Sequence, residues 1–133
     1  MRLILFVVMN FILLSHAHAL SCHTFAGEDY DKCKVYVEGA SCSRLRGESY
    51  DACKVYKDEG SCYRLRGEAA ETCQTYKNAR SCSRFSGVNY DICKVLQDGS
   101  SCIRLTGVEY DKCRIVKEKN LPLMKAVGFM HSI

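Results

Sequence analysis

No stretch of this 133-residue sequence is long and apolar enough to cross a membrane. Its longest apolar run, residues 3–14, is interrupted at Asn10 and falls short of the about 20 residues that a spanning helix needs. Closely spaced cysteine pairs of the Cys-x2–4-Cys kind are also missing, so neither a structural zinc site nor any other cofactor is expected. No Asn-x-Ser/Thr sequon occurs, because Asn78, Asn89 and Asn120 all fail at the third position. Beyond residue 19 the only histidines are His23 and His131, one near each end, and no Ser-His-Asp set is legible. Catalysis is therefore not expected. Nor is there an excess of one charge sign: 19 Lys and Arg face 15 Asp and Glu, interspersed along the chain. A nucleic-acid partner would call for clustered basic residues, so none is expected.

The first nineteen residues read as a signal peptide. A single Arg2 precedes the short apolar run, and Ala17-His18-Ala19 supplies the small residues of a cleavage site. Residues 20–120 then form five tandem copies of a twenty-residue unit, starting at Ser21, Ser41, Ser61, Ser81 and Ser101 without insertion or deletion. The second copy, SCSRLRGESYDACKVYKDEG, is typical. Serine at position one, cysteine at positions two and thirteen and glycine at position seven occur in every copy. A fixed period of this size means one supersecondary unit per copy, stacked on its neighbours.

The ten cysteines, in a chain with a secretory leader, point to disulfides formed in an oxidising compartment. Spacing alone leaves their connectivity open. Pairing within copies joins Cys22–Cys33, Cys42–Cys53, Cys62–Cys73, Cys82–Cys93 and Cys102–Cys113 and leaves no thiol over. A straight helix would hold Cys42 and Cys53 roughly 16 Å apart, whereas a disulfide tolerates at most about 7 Å between Cα atoms. Within-copy pairing thus requires a turn near Gly47 and its equivalents Gly67, Gly87 and Gly107, at a positive φ that glycine adopts readily. A short helix is expected after each glycine, with acids early and bases late. Spacing also allows i,i+3 pairs such as Asp31–Lys34, Asp51–Lys54 and Asp91–Lys94. The fold class that follows is a small disulfide-rich, elongated, α-leaning solenoid of turn-plus-helix units. Residues 121–133 leave the repeat and are expected to form a terminal cap or a flexible tail.

Function is read from what recurs at the surface. Arg44, Arg64, Arg84 and Arg104 each stand two residues after a cysteine and form a candidate interaction row. Their plainer role is to be solvated or to pair with the carboxylate at position eight or eleven of the same unit. Threonine falls at four different repeat positions, which excludes the regular array used by ice-binding solenoids. The expectation is a secreted cysteine-rich binding protein, of an effector, venom or matrix kind, directed at an extracellular protein or surface. The alternative is a multi-headed inhibitor of trypsin-like serine proteases that uses the same arginines. The tyrosines at position ten (Tyr30, Tyr50, Tyr90, Tyr110) are expected to be mainly structural, with Tyr63 filling the space left by Ala70 in the third copy.

Overall fold

The computed structural model describes residues 20–131, so the signal-peptide reading of residues 1–19 lies outside the described residues. Each copy opens with a single 3-10 turn, at Cys22–Thr24, Cys42–Arg44, Cys62–Arg64, Cys82–Arg84 and Cys102–Arg104. An α-helix follows: α1 (Gly27–Tyr36), α2 (Gly47–Tyr56), α3 (Gly67–Lys77), α4 (Gly87–Asp98) and α5 (Gly107–Glu118). A sixth helix, α6 (Leu123–Met130), ends the described chain, and there is no strand among the described residues.

The invariant residues each have a local task. In copies two to five the first serine accepts a hydrogen bond from the backbone N–H two residues on, at 3.2–3.4 Å, and so starts the 3-10 turn. Glycine at position seven has φ between +53° and +57° in all five copies, with nothing within 4 Å of where a Cβ would stand. Backbone conformation, rather than crowding, therefore selects it. That turn folds the chain back on itself and brings the two cysteines of each unit together. All five within-copy disulfides form, with Cα atoms 5.4–5.8 Å apart, and no cysteine is free. Disulfides at this density are typical of extracellular proteins.

Each helix buries positions twelve, thirteen and fifteen, and the Phe or Leu at position five closes the unit, fully buried except for the half-buried Phe85. The inward faces do not stack only on one another. Helices α1 to α5 all pack against α6, so the row of units curls around the C-terminal helix. Copy five meets copy one through Lys112, whose Nζ lies 2.5 Å from Asp29 Oδ1. The disulfide-stapled helical solenoid is as expected, but its long axis is bent. Residues 123–130 are not set on the end of the row; Ala126, Val127, Gly128, Phe129 and Met130 are buried inside its curve. One short unit cannot bury a core alone, and wrapping five of them about a shared apolar rod supplies it.

Tyr30, Tyr90 and Tyr110 pack against the core as expected, but Tyr63 does not take its expected place. Tyr63 is 92 % exposed and does not fill the space beside Ala70. Position ten lies at the rim of the core: Tyr50 is exposed, and Tyr30, Tyr90 and Tyr110 are half-buried. Tyr30, Tyr50 and Tyr110 sit beneath the cation at position fourteen, 5.6–5.9 Å from the ring. The buried tyrosines are Tyr36, Tyr56 and Tyr76 at position sixteen, on the face turned to α6. Position sixteen is two turns from the glycine and points inward. Position ten, in the first turn, points to the edge.

Candidate interaction surface

The four arginines of the row are exposed, and each is the last residue of its 3-10 turn. Where one of them is paired, its partner is not in its own unit. Arg44 Nη1 lies 3.1 Å from Asp31 Oδ1, and Arg104 Nη1 lies 3.7 Å from Asp91 Oδ1, so position four bonds to position eleven of the preceding copy. Asp31 and Asp91 thus bond to the next unit in place of the i,i+3 pairing expected within their helices. Lysine at position fourteen pairs instead with position eighteen, as in Lys34–Glu38 at 2.6 Å, Lys54–Asp58 at 3.0 Å and Lys94–Asp98. Each of these carboxylates, through its hydrogen bond, raises the lysine's pKa.

Two more sets of polar links join neighbouring units. The hydroxyl of Ser49 donates to Glu28 Oε1, and Asn89 Nδ2 donates to Glu68 Oε1 at 3.2 Å, so position nine reaches back to position eight of the copy before. The bond from Ser49 holds the Glu28 carboxyl below its usual range, with Lys32 acting in the same direction. The third set runs from lysine at position seventeen to a carbonyl at the end of the preceding copy. It comprises Lys57 to Ala40 at 2.7 Å, Lys77 to Gly60 at 2.6 Å and Lys117 to Ser100 at 2.6 Å. Copy four has Gln97 there, and its buried Nε2 has no partner.

These links leave a groove between successive units, with the carboxylates of positions eight and eleven on one wall and the arginines of the next copy on the other. The first, about 460 Å³, lies between Glu28 and Asp31 and the pair Arg44 and Arg46, with Leu45 in its floor. The second, about 220 Å³, sets Glu48 and Asp51 against Arg64 and Arg66. The third, about 540 Å³, sets Glu68 and Glu71 against Arg84, beside Phe85. Arg44 reaches across its groove. Arg64 and Arg84 do not: among the described residues neither has a carboxylate within 4.0 Å.

A fourth depression of about 360 Å³ opens where α2, α3 and α4 begin, and His131 lines it. His131 is only 3 % exposed, and its Nε2 is 2.8 Å from the Tyr76 hydroxyl. Burial, with the nearby Lys112 and Lys32 ammonium groups, pushes its pKa down to about 4. Lys32 and Lys112 are themselves buried, paired to Glu28 at 3.1 Å and to Asp29.

The sequence placed the arginine row at the surface but missed what it faces, because the partner carboxylate lies thirteen residues upstream in another unit. The role of His131 was equally hidden in a tail without repeat symmetry. No group of three or more His, Cys, Asp or Glu side chains that could hold a metal ion occurs among the described residues. No known family, no characterised protein and no solved structure matches the chain. It is a small, disulfide-rich helical repeat protein.

Proposed function

We propose that the protein is secreted and acts by binding an extracellular protein or surface, without catalysis. The observation that carries this reading is the repetition of one kind of groove, acid-walled and arginine-walled, along a single edge of the molecule. Helical solenoids commonly bind through their concave face. Here α6 fills that face, which leaves the arginine edge as the repeated surface open to a partner. Beside it, Tyr63 and Ile103 stand 92 % and 80 % exposed at position three, where other copies carry Ser43, Ser83 and His23. Large apolar side chains held in water without a packing role are of the kind that anchor interfaces. Repetition adds avidity when two or more contacts can be made at once.

The test is affinity capture. The chain from Leu20, with its disulfides intact, is immobilised and exposed to its natural extracellular fluid beside the quadruple variant Arg44→Ala, Arg64→Ala, Arg84→Ala, Arg104→Ala. A protein or surface component retained by the first and lost by the second is the expected result. Inhibition of trypsin at stoichiometric concentrations by the first chain would instead favour the protease-inhibitor reading. Against that reading stands the 3-10 turn that ends at each arginine, which would have to unwind to lie extended across a protease cleft.

A further inference from the structure

Repeat symmetry acts as an internal control. A position that departs from the pattern in one copy, with no structural compensation, is a candidate for selection by a partner. The departures gather in copy three. Position nine is Ala69, where the other copies have Asp29, Ser49, Asn89 and Glu109, and position ten is Ala70, where the others have tyrosine. Because Ala69 offers no hydrogen bond, Glu48 lacks the link that Ser49 gives Glu28 and Asn89 gives Glu68. Ala69 also lines two of the hollows here, and its short side chain leaves them open to one another. The depression floored by His131 shares Glu48, Arg66 and Ala69 with the groove on one side, and Gly67, Glu68 and Asn89 with the groove on the other. Three hollows thus run into one another across the start of α3. Arg64 stands at one end and Arg84 at the other, the two arginines of the row left without a carboxylate.

We propose that this continuous depression over copy three is the binding site proper, and that it takes a polypeptide segment of mixed charge. Carboxylates of the ligand would meet Arg64 and Arg84, and a cationic side chain between them would meet Glu48. The proposal deepens the reading of the protein as a binding protein and rests on it. Charge alternation is what selects the ligand class. A polyanion such as a sulfated polysaccharide would meet Glu48 and Glu68 as well as the arginines, and like charges brought together oppose binding. The neutral, buried His131 in the floor, already bonded to Tyr76, adds no charge to attract a polyanion. An extended peptide presents side chains of either sign at intervals of about 3.3 Å, and so can match such an order.

The experiment fills the depression. The variant Ala69→Asn gives copy three the residue that copy four carries as Asn89, placed in the wall of the depression. A dodecapeptide library displayed on phage is selected on the wild-type chain and counter-selected on this variant. Circular dichroism and thermal melts check that the variant folds. A second variant, Arg64→Ala with Arg84→Ala, changes only exposed side chains and keeps the test valid if the first does not fold. Enriched peptides should carry both charge signs. They should bind wild type about tenfold or more tightly than either variant, as loss of a desolvated charged contact implies. Peptides that bind wild type and variants alike would overturn the proposal, as would failure to enrich any. So would a heparin octasaccharide that binds wild type and loses binding in both variants. Capture of the natural partner by both variants would leave the broader reading standing and sink this one.

Discussion

At the scale of single residues, repetition separates what the backbone demands from what a copy chooses. Among copies two to five, Gln97 is the exception in the lysine set at position seventeen, too short to reach a carbonyl of copy three, with its buried Nε2 unpaired. Gln97→Lys should complete the set and stabilise the fold by about 1 kcal/mol, the net worth of one internal hydrogen bond plus relief of the orphaned amide. A urea titration with unchanged m-value would measure it. Glu59 and Ala79 hold φ of +57° and +47° where copies one and four have Gly39 and Gly99. The left-handed region costs a non-glycine residue roughly 1–2 kcal/mol, so Ala79→Gly should raise the melting temperature. His131 makes a prediction about pH. Its folded pKa of about 4 lies below the ordinary histidine value of 6.5, so the stability that neutral burial provides is complete above about pH 6.5. It is lost as pH falls from there through 4, with a slope approaching 1.4 kcal/mol per pH unit. Facing the ring are Tyr76, Lys32 and Lys112, the lysines held by Glu28 and Asp29. His131→Phe should flatten that part of the stability profile; an unchanged slope between pH 6.5 and 4 would disprove the assignment.

Among the elements, the repeated ones were legible and the unrepeated one was not. Five aligned copies exposed the glycine and cysteine positions; disulfide geometry called for a turn, and early acids with late bases pointed to a short helix after it. Helix α6 has no copy to compare with, and its sequence LMKAVGFM reads as well for a terminal cap or a flexible tail as for a buried rod. Its place is fixed by contacts from afar. A Cβ on Gly128 would stand 2.5 Å from the Tyr36 ring, and Phe129 meets Phe25 edge-on with centroids 5.7 Å apart. Gly128→Ala should therefore cost about 1–3 kcal/mol by overpacking, although alanine is the better helix former. Equilibrium unfolding would read the loss, and an unchanged or raised stability would contradict the packing. Which tyrosines lie deepest was not legible for a related reason. Positions ten and sixteen both carry aromatic residues at helical spacing, and only knowing that the core is a central helix tells which face turns inward.

The molecule as a whole departs from the additive behaviour of open solenoids, in which each repeat touches only its neighbours. With α6 in contact with every unit, unfolding should be a single cooperative transition, its calorimetric and van't Hoff enthalpies equal. Removal of residues 121–133 should lower the melting temperature and broaden the transition into steps, while the five disulfides, each worth about 3 kcal/mol, hold the units locally. A truncated chain that melts as sharply as the parent would refute a unifying role for α6. The general class was readable from composition and period, but the curl was not, since it depends on α6 meeting all five units and on Lys112 finding Asp29 some eighty residues away. That closure has an evolutionary consequence. In-register tandem units of equal length invite unequal recombination, and an open rod absorbs a gained or lost unit with little effect. A ring built around eight residues of helix and shut by one ion pair does not. Four units would leave the rod's flank bare, and a sixth would stand between Asp29 and Lys112. The number five is thus tied to the fold, and deleting or duplicating one unit should lower the melting temperature far more than substitutions at the exposed positions of the units.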